Sequence, residues 1–290
     1  MTISIKKLSP PSFPAALREI ADPPKELWLR GTLPGDENVF LSVVGSRKYS
    51  RYGKDACENL IAGLRGYPII IVSGLALGID GIAHKAALDA DLVTLAIPGS
   101  GLHPDVLYPR IHAELAEEIV ARGGALLSEF EPNFRATEWS FPQRNRLMAG
   151  IARAVLIIEA ENKSGTLITA RLALDYNRDV LAVPGEIFSP NAEGTNRLIR
   201  QGATPITSSE ELLRALGFEP NETGKEAAEI FLREATETEQ NLWKLLGESI
   251  TRDELIEKSG MTARDFNTAL SLLELKGLIT EELGEIRRKI

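Results

Sequence analysis

From Val39 onward the chain alternates short, near-continuous apolar runs with segments whose apolar residues recur at helical spacing. "VFLSVV", "PIIIVSG", "LVTLAIPG", "ALLSEF", "AVLIIEA" and "DVLAVPG" are rich in β-branched residues and end in Gly, Pro or Ser turns, which predicts strands. Between them "RYGKDACENLIAGLR", "GIDGIAHKAALDA", "RIHAELAEEIVARGG", "QRNRLMAGIA" and "TLITARLALDYN" repeat at three and four residues, which predicts helices. Such alternation makes an α/β fold with a doubly wound, Rossmann-like parallel sheet over residues 39–216. Strands apolar at every position belong to a sheet covered on both faces.

The flanks read differently. Residues 1–38 hold "SPPSFP" and "DPPKELWLRGTLPGD", whose prolines exclude a long helix. "LWLRG" is a candidate short strand, and the segment is expected to pack on the main domain as a lead-in. Residues 217–236 are charged and lack an apolar stripe, so they read as a linker. Residues 237–290 repeat helix, turn, helix and a β-wing, the pattern of a winged helix. In it Thr251 and Thr262 are expected as caps and Gly260 as the turn.

Composition narrows the class. The net charge is −8, and residues 221–290 carry −5 of it, so a basic groove remains open to the larger domain. The one cysteine, Cys57, lies on a helical segment and reads as a small buried residue suited to a reducing compartment. No apolar run reaches the roughly 20 residues that span a bilayer, and the N-terminus has no signal-peptide core. The expectation is a cytoplasmic protein without a membrane partner.

The strand ends carry the candidate chemistry. Each apolar run breaks into "GSRKYS", "SGLALGID", "PGSGLHP", "EAENKSGT" or "PGEIFSP", at the carboxyl edge where open parallel sheets bind ligands. In "VVGSRKYSRYGK", Gly45 permits close approach, Ser46 and Ser50 supply hydroxyls, and Arg47, Lys48, Arg51 and Lys54 supply charge. Amides at a helix start favour anions, and the guanidinium fork fits phosphate. Lys163, Ser164, Gly165 and Thr166 form a second turn of the same kind. Neither is a G-x-x-x-x-G-K-[ST] loop nor a G-x-G-x-x-G fingerprint. Two cradles on one edge suit successive phosphates of a strand. "RATEWSFPQRNRLMAG" places Arg135, Arg144 and Arg146 among Trp139 and Phe141, and "HPDVLYPRIH" adds Tyr108 and Arg110. Cations beside aromatics suit a single strand, whose bases stack and whose phosphates need charge. Trp139 and Phe141 can equally be core anchors.

"VGSR", "SGLALGID", "FPQRNRLMAG", "EAENKSGTLITA" and "VPGEIFSPNAEGTNRLIRQGA", in this order over residues 10–216, resemble the DNA-processing protein A (DprA/Smf) family. The resemblance leaves no room ahead of it for the sterile-alpha-motif-type domain that many members carry. It implies an extended Rossmann fold that binds incoming single-stranded DNA during natural transformation. It also implies loading of the RecA recombinase and a homodimer. No cofactor or metal is expected. The DNA-binding residues it implies are Gly45, Ser46, Arg47, Phe141, Arg144, Asn145, Arg146, Lys163, Ser164, Gly165 and Thr166. Residue chemistry adds Arg110.

Two other readings compete. One is a nucleotide-binding or nucleotide-hydrolysing enzyme of the lysine-decarboxylase-like class. Those enzymes carry a glutamate after a glycine turn, and "KSGTLITA" has no acid at that spacing. Asp80 and Glu159 are the well-placed carboxylates, and Asp80 reads as capping a helix or orienting the glycine turn rather than as a base. The expectation is no catalysis. The other reading is a transcription factor using Arg264, Asn267 and Lys276 of the winged helix. That domain's negative charge opposes duplex phosphates, which favours a regulatory or protein-contact role. His84, His103 and His112 stand in no metal-ligand spacing; His84 reads as a packed or capping helix residue, and His103 and His112 as surface or pocket wall.

Overall fold

The computed structural model describes residues 4–220, 235–246, 250–275, 278–282 and 284–288. The chain divides into two units, Met1–Glu219 and Pro220–Ile290. The first is built on a nine-stranded sheet. Its elements are β1 (Ile5–Leu8), α1 (Ala15–Arg18), β2 (Leu27–Gly31), β3 (Val39–Val44), α2 (Arg51–Ala62), β4 (Ile69–Ser73), α3 (Ile79–Asp89) and β5 (Thr94–Ala96). They continue with α4 (Ala113–Ala121), β6 (Ala125–Ser128), α5 (Ser140–Ile151), β7 (Ala154–Ile157), α6 (Thr166–Asp175), β8 (Asp179–Ala182), α7 (Glu193–Arg200), β9 (Thr204–Pro205) and α8 (Ser209–Ala215).

The strand order is β1-β2-β6-β5-β4-β3-β7-β8-β9. From β6 to β9 every pair is parallel. Residue parity sorts the core into two layers. On β3, Leu41 and Val43 face one layer with Cys57, Ile61, Ile79 and Ala83 of α2 and α3. Phe40 and Val44 face the other, with Leu17 of α1, Leu147 of α5 and Ala170 of α6. Both sheet faces are thus covered, as the apolar strands require. Cys57 is fully buried, and burial pushes its thiol up.

The lead-in is part of the sheet rather than a layer upon it. β2 pairs antiparallel with β6 and β1 antiparallel with β2, so the sheet is mostly parallel with an antiparallel edge. Parallel β6 leaves one row of backbone donors and acceptors open, and "LWLRG" satisfies it while burying Leu27 and Leu29. α5 starts at Ser140, earlier than the apolar period indicates, because Pro142 is tolerated in a first helical turn.

The second unit contains α9 (Glu237–Leu245), β10 (Ile250–Thr251), α10 (Arg252–Ser259), α11 (Ala263–Leu275), β11 (Ile279–Glu282) and β12 (Glu285–Arg288), with sheet order β10-β12-β11. Thr251 and Glu254 form a reciprocal capping box at α10, and Gly260 ends it at φ 61°. Thr262 Oγ1 accepts from Asp265 N at 3.2 Å to start α11. Leu242, Leu255, Phe266, Leu273 and Ile286 form this unit's own core. Most of the expected linker, 221–234, and Lys276 lie outside the described residues. Among the described residues no helix is long and apolar enough to cross a membrane.

Candidate nucleic-acid interface

Successive strands leave β3 toward β4 on one side and toward β7 on the other, so the topology reverses between β3 and β7. A parallel sheet opens a crevice at that point, outside the carboxyl ends of the strands. A cavity of about 540 Å³ lies there, walled by the turns after β3, β4 and β7 and by the start of α5.

Gly45 opens the first turn. A Cβ at this position would stand 2.7 Å from the Ile79 side chain, so only glycine lets β3 pass α3 so closely. Ser46 is buried. Its hydroxyl accepts from Lys48 N at 3.0 Å, and its carbonyl accepts from Ile79 N at 3.2 Å. Arg47 is exposed, its guanidinium 5.3 Å from the Phe141 ring centroid. Ser50 has a different task from the one its sequence position suggests. Its hydroxyl accepts from Gly53 N at 3.0 Å as the cap of α2 and donates to Glu159 Oε1 at 2.5 Å. Arg51 and Lys54 approach Asp55 and Glu58 one helical turn on, each at 3.8 Å. Arg47 and Lys48 are the cations of this turn that line the cavity, which Glu138 and Glu161 also line.

The second turn is tied to the first. Ser164 Oγ donates to Thr166 Oγ1 at 2.9 Å, and Thr166 Oγ1 donates to Gly45 O at 3.1 Å. Ser164, Gly165 and Thr166 face the cavity at the start of α6, where the helix dipole favours an anion. A Cβ at Gly165 would meet open space, so packing does not demand that glycine. Lys163 is exposed beside this turn and is not part of the cavity wall.

Beside the cavity lie a buried carboxylate and a buried guanidinium, Asp80 and Arg144. Asp80 Oδ2 accepts from Gly74 N at 3.1 Å, and the Ala76 amide also donates to this carboxylate. Arg144 Nη1 donates to Gly74 O at 2.5 Å and to Ile97 O, and Arg144 Nε donates to Asn145 Oδ1 at 3.2 Å. Burial pushes the Asp80 carboxyl up and lowers Arg144 to about 10, while their mutual attraction opposes both shifts. Asp80 therefore orients the glycine turn, as its sequence position suggests. Arg144 lines the cavity with Nη1 already bonded to the ends of β4 and β5 and Nε to Asn145.

The structure brings Gly45, Ser46, Arg47, Phe141, Arg144, Asn145, Ser164, Gly165 and Thr166 to one cavity. It places three other candidates elsewhere. Arg146 is buried against Glu129 and Asp22, with Nη1 donating to Asp22 O at 2.6 Å. Arg110 is exposed beyond the cavity wall, and so is Lys163. Helix periodicity explains Arg146: residues two apart, such as 144 and 146, do not share a face. His84 is fully buried, with Nδ1 2.7 Å from Thr94 Oγ1, and burial lowers it to about 3. His112 Nδ1 lies 2.8 Å from Leu75 O and backs the turn after β4. Glu138, an acid in the midst of the Arg and aromatic segment, does line the cavity, whereas sequence reasoning had no signal for Glu161 at the rim nor for the Ser50–Glu159 bond, which joins residues 109 apart.

The fold is that of an α/β protein whose Rossmann-like sheet gathers two hydroxyl-and-amide turns and a guanidinium at its switch point. The profile of the DNA recombination-mediator protein A family matches residues 5–217, and that of the DprA winged helix domain matches residues 226–285. The chain belongs to this family, DprA/Smf. It is 44% identical to protein Smf of Escherichia coli over 71% of this chain and 54% of that one, so it spans about half the length of that relative. It is 39% identical to the DNA processing protein DprA of Streptococcus pneumoniae over 71% of this chain and 72% of that one. Among solved structures, the S. pneumoniae DprA superposes with a TM-score of 0.68 at 39% identity, covering 72% of this chain and 74% of that one. A Helicobacter pylori DprA, solved for its unique single-stranded DNA binding mode, gives 0.65 at 30% identity, covering 74% and 96%.

Proposed function

We propose that this protein binds single-stranded DNA in the switch-point cavity and turns over no nucleotide. In this reading it acts in DNA processing during uptake and transformation, works in the cytoplasm as a homodimer, and passes its strand to the RecA recombinase. One observation carries the reading: the Gly45–Lys48 and Ser164–Thr166 turns share one cavity and are bonded through Thr166 to Gly45. Two adjacent cradles fit consecutive phosphodiesters, and Arg47 supplies the charge. The family's description as a recombination mediator and the H. pylori protein's single-stranded DNA binding mode support the biological part.

The chemistry present stabilises charge and does not move protons. Hydrolysis needs a base within reach of a water. Asp80 is spent on two amides and Arg144, and Glu159 on Ser50 N and Oγ. A mobility-shift assay with matched single- and double-stranded oligonucleotides tests the reading. Single-strand binding is expected, weak for duplex and nearly indifferent to sequence. Duplex-specific binding lost on deletion of residues 237–290 would support the transcription-factor reading instead. Release of base, phosphate or cleaved strand that is abolished in Asp80→Asn or Glu159→Gln would overturn the non-enzymatic reading. Stimulated RecA strand exchange on protein-coated single strands checks the mediator role.

A further inference from the structure

Just outside the cavity, the segment leading into α5 carries three aromatic rings packed on one another. Phe130 and Phe134 are stacked, with centroids 4.6 Å apart and planes 17° from parallel. Trp139 stands steeply to both, at 78° and 5.7 Å from Phe130 and at 63° and 5.5 Å from Phe134. The indole thus packs on the phenylalanine pair in the steep, edge-to-face class of contact that aromatic rings favour. Phe130 is buried, so the support is rigid, yet 54% of Trp139 is exposed.

Glu138, the residue before it, and Phe141, two residues after it, line the cavity. Phe141 itself is already engaged: the Gly99 backbone presses on the ring, Arg47 lies over it, and Tyr108 tilts against it at 5.6 Å. Trp139 thus offers exposed aromatic surface beside the two turns.

We propose that Trp139 is a base-stacking subsite. The unpaired nucleobase next to the phosphates held in the cavity packs on the exposed indole. This rests on the single-strand reading above and adds to it a place for the base. Every base has a π-face, so the subsite is tolerant of sequence, and a duplex, whose bases are already stacked, cannot use it.

The chain has three tryptophans, so Trp28→Phe with Trp243→Phe leaves Trp139 as the sole indole emitter. This protein is titrated with a labelled thymidine oligomer of roughly 15 nucleotides, near the upper site size of single-strand folds. Indole emission and oligomer anisotropy are followed together. Emission is expected to fall along the same isotherm as the anisotropy. An abasic oligomer with the same number of phosphates should bind more weakly and leave emission unchanged. In the otherwise unaltered chain, Trp139→Ala should lower affinity on the order of ten- to a hundredfold. The salt slope should stay as it is, since no phosphate contact is lost, and Trp139→Phe should retain most of the affinity. Unchanged emission while anisotropy reports binding, or wild-type affinity in a folded Trp139→Ala, overturns the subsite and leaves the single-strand reading standing. No anisotropy change with any oligomer overturns that reading and the subsite with it. Should Trp139→Ala fail to fold, the emission titration decides alone.

Discussion

At the residue scale, three side chains carry separable tasks. Arg47 is exposed at the cavity and holds no structural hydrogen bond among those described. Its replacement by Ala should leave the melting curve unchanged and weaken single-strand binding. The salt slope should fall by about 0.7, the contribution of one phosphate on a single strand. A plot of log affinity against log salt checks this, and an unchanged slope would remove Arg47 from the phosphate set. Arg144 is the opposite case, a buried cation facing Asp80. Arg144→Met alone leaves that carboxylate uncompensated and should cost about 3–5 kcal/mol of stability. The double variant with Asp80→Asn should cost less than the two singles together, because neither then strands a charge. Denaturant melts of the three proteins measure the coupling. His84 sets a pH dependence. Its folded value of about 3 lies below the ordinary 6.5, so the unfolded chain binds the extra proton and stability falls as pH drops through that window. His84→Gln should flatten the curve of stability against pH between those values by up to about 1.4 kcal/mol per pH unit. Thermal melts at stepped pH measure it, and an unchanged slope would show that another group is responsible.

At the element scale, α2 depends on a cap that also closes a long-range bond. Ser50 satisfies a first-turn amide of α2 and gives both its own N–H and its hydroxyl to Glu159 at the end of β7. Ser50→Ala removes the cap and one donor to a buried carboxylate, and should cost at least the ~1 kcal/mol of an ordinary N-cap. Ser50→Asp would restore a cap acceptor but set two carboxylates together, so it should not rescue. Chemical denaturation separates these outcomes: recovery by Asp would mean that capping is all Ser50 does. Strand and helix identities along residues 39–182 are legible in the sequence because β-branched runs and three-four spacing are local properties. The edge pairings were not legible. β1 and β9 are short, and their pairing follows from open backbone groups on a neighbouring strand rather than from any pattern of their own.

At the scale of the whole molecule, each unit closes its own core. The larger holds the two sheet layers, and the smaller is centred on Phe266. A chain ending at Glu219 should therefore fold alone and keep single-strand binding close to that of the full protein, since every cavity residue precedes that point. Parallel titrations of the two proteins check it. A large loss of affinity on truncation would assign DNA contacts to the winged helix.

The sequence by itself determined the fold class, because the apolar runs and Gly/Ser turns repeat in a form that only a doubly wound sheet buries on both faces. It also determined which turns stand at the carboxyl edge, since strand direction is fixed once the connections are helical. The tertiary structure alone decided which charges remain for a ligand. Arg47, Arg144 and Arg146 are alike in type and all lie in segments on which the family resemblance rests. Packing leaves the first in solvent, binds the second to the ends of β4 and β5, and turns the third to Glu129 and Asp22. A side chain's partners come from strands and helices distant along the chain, and the local pattern that makes a helix does not specify what its neighbour will offer.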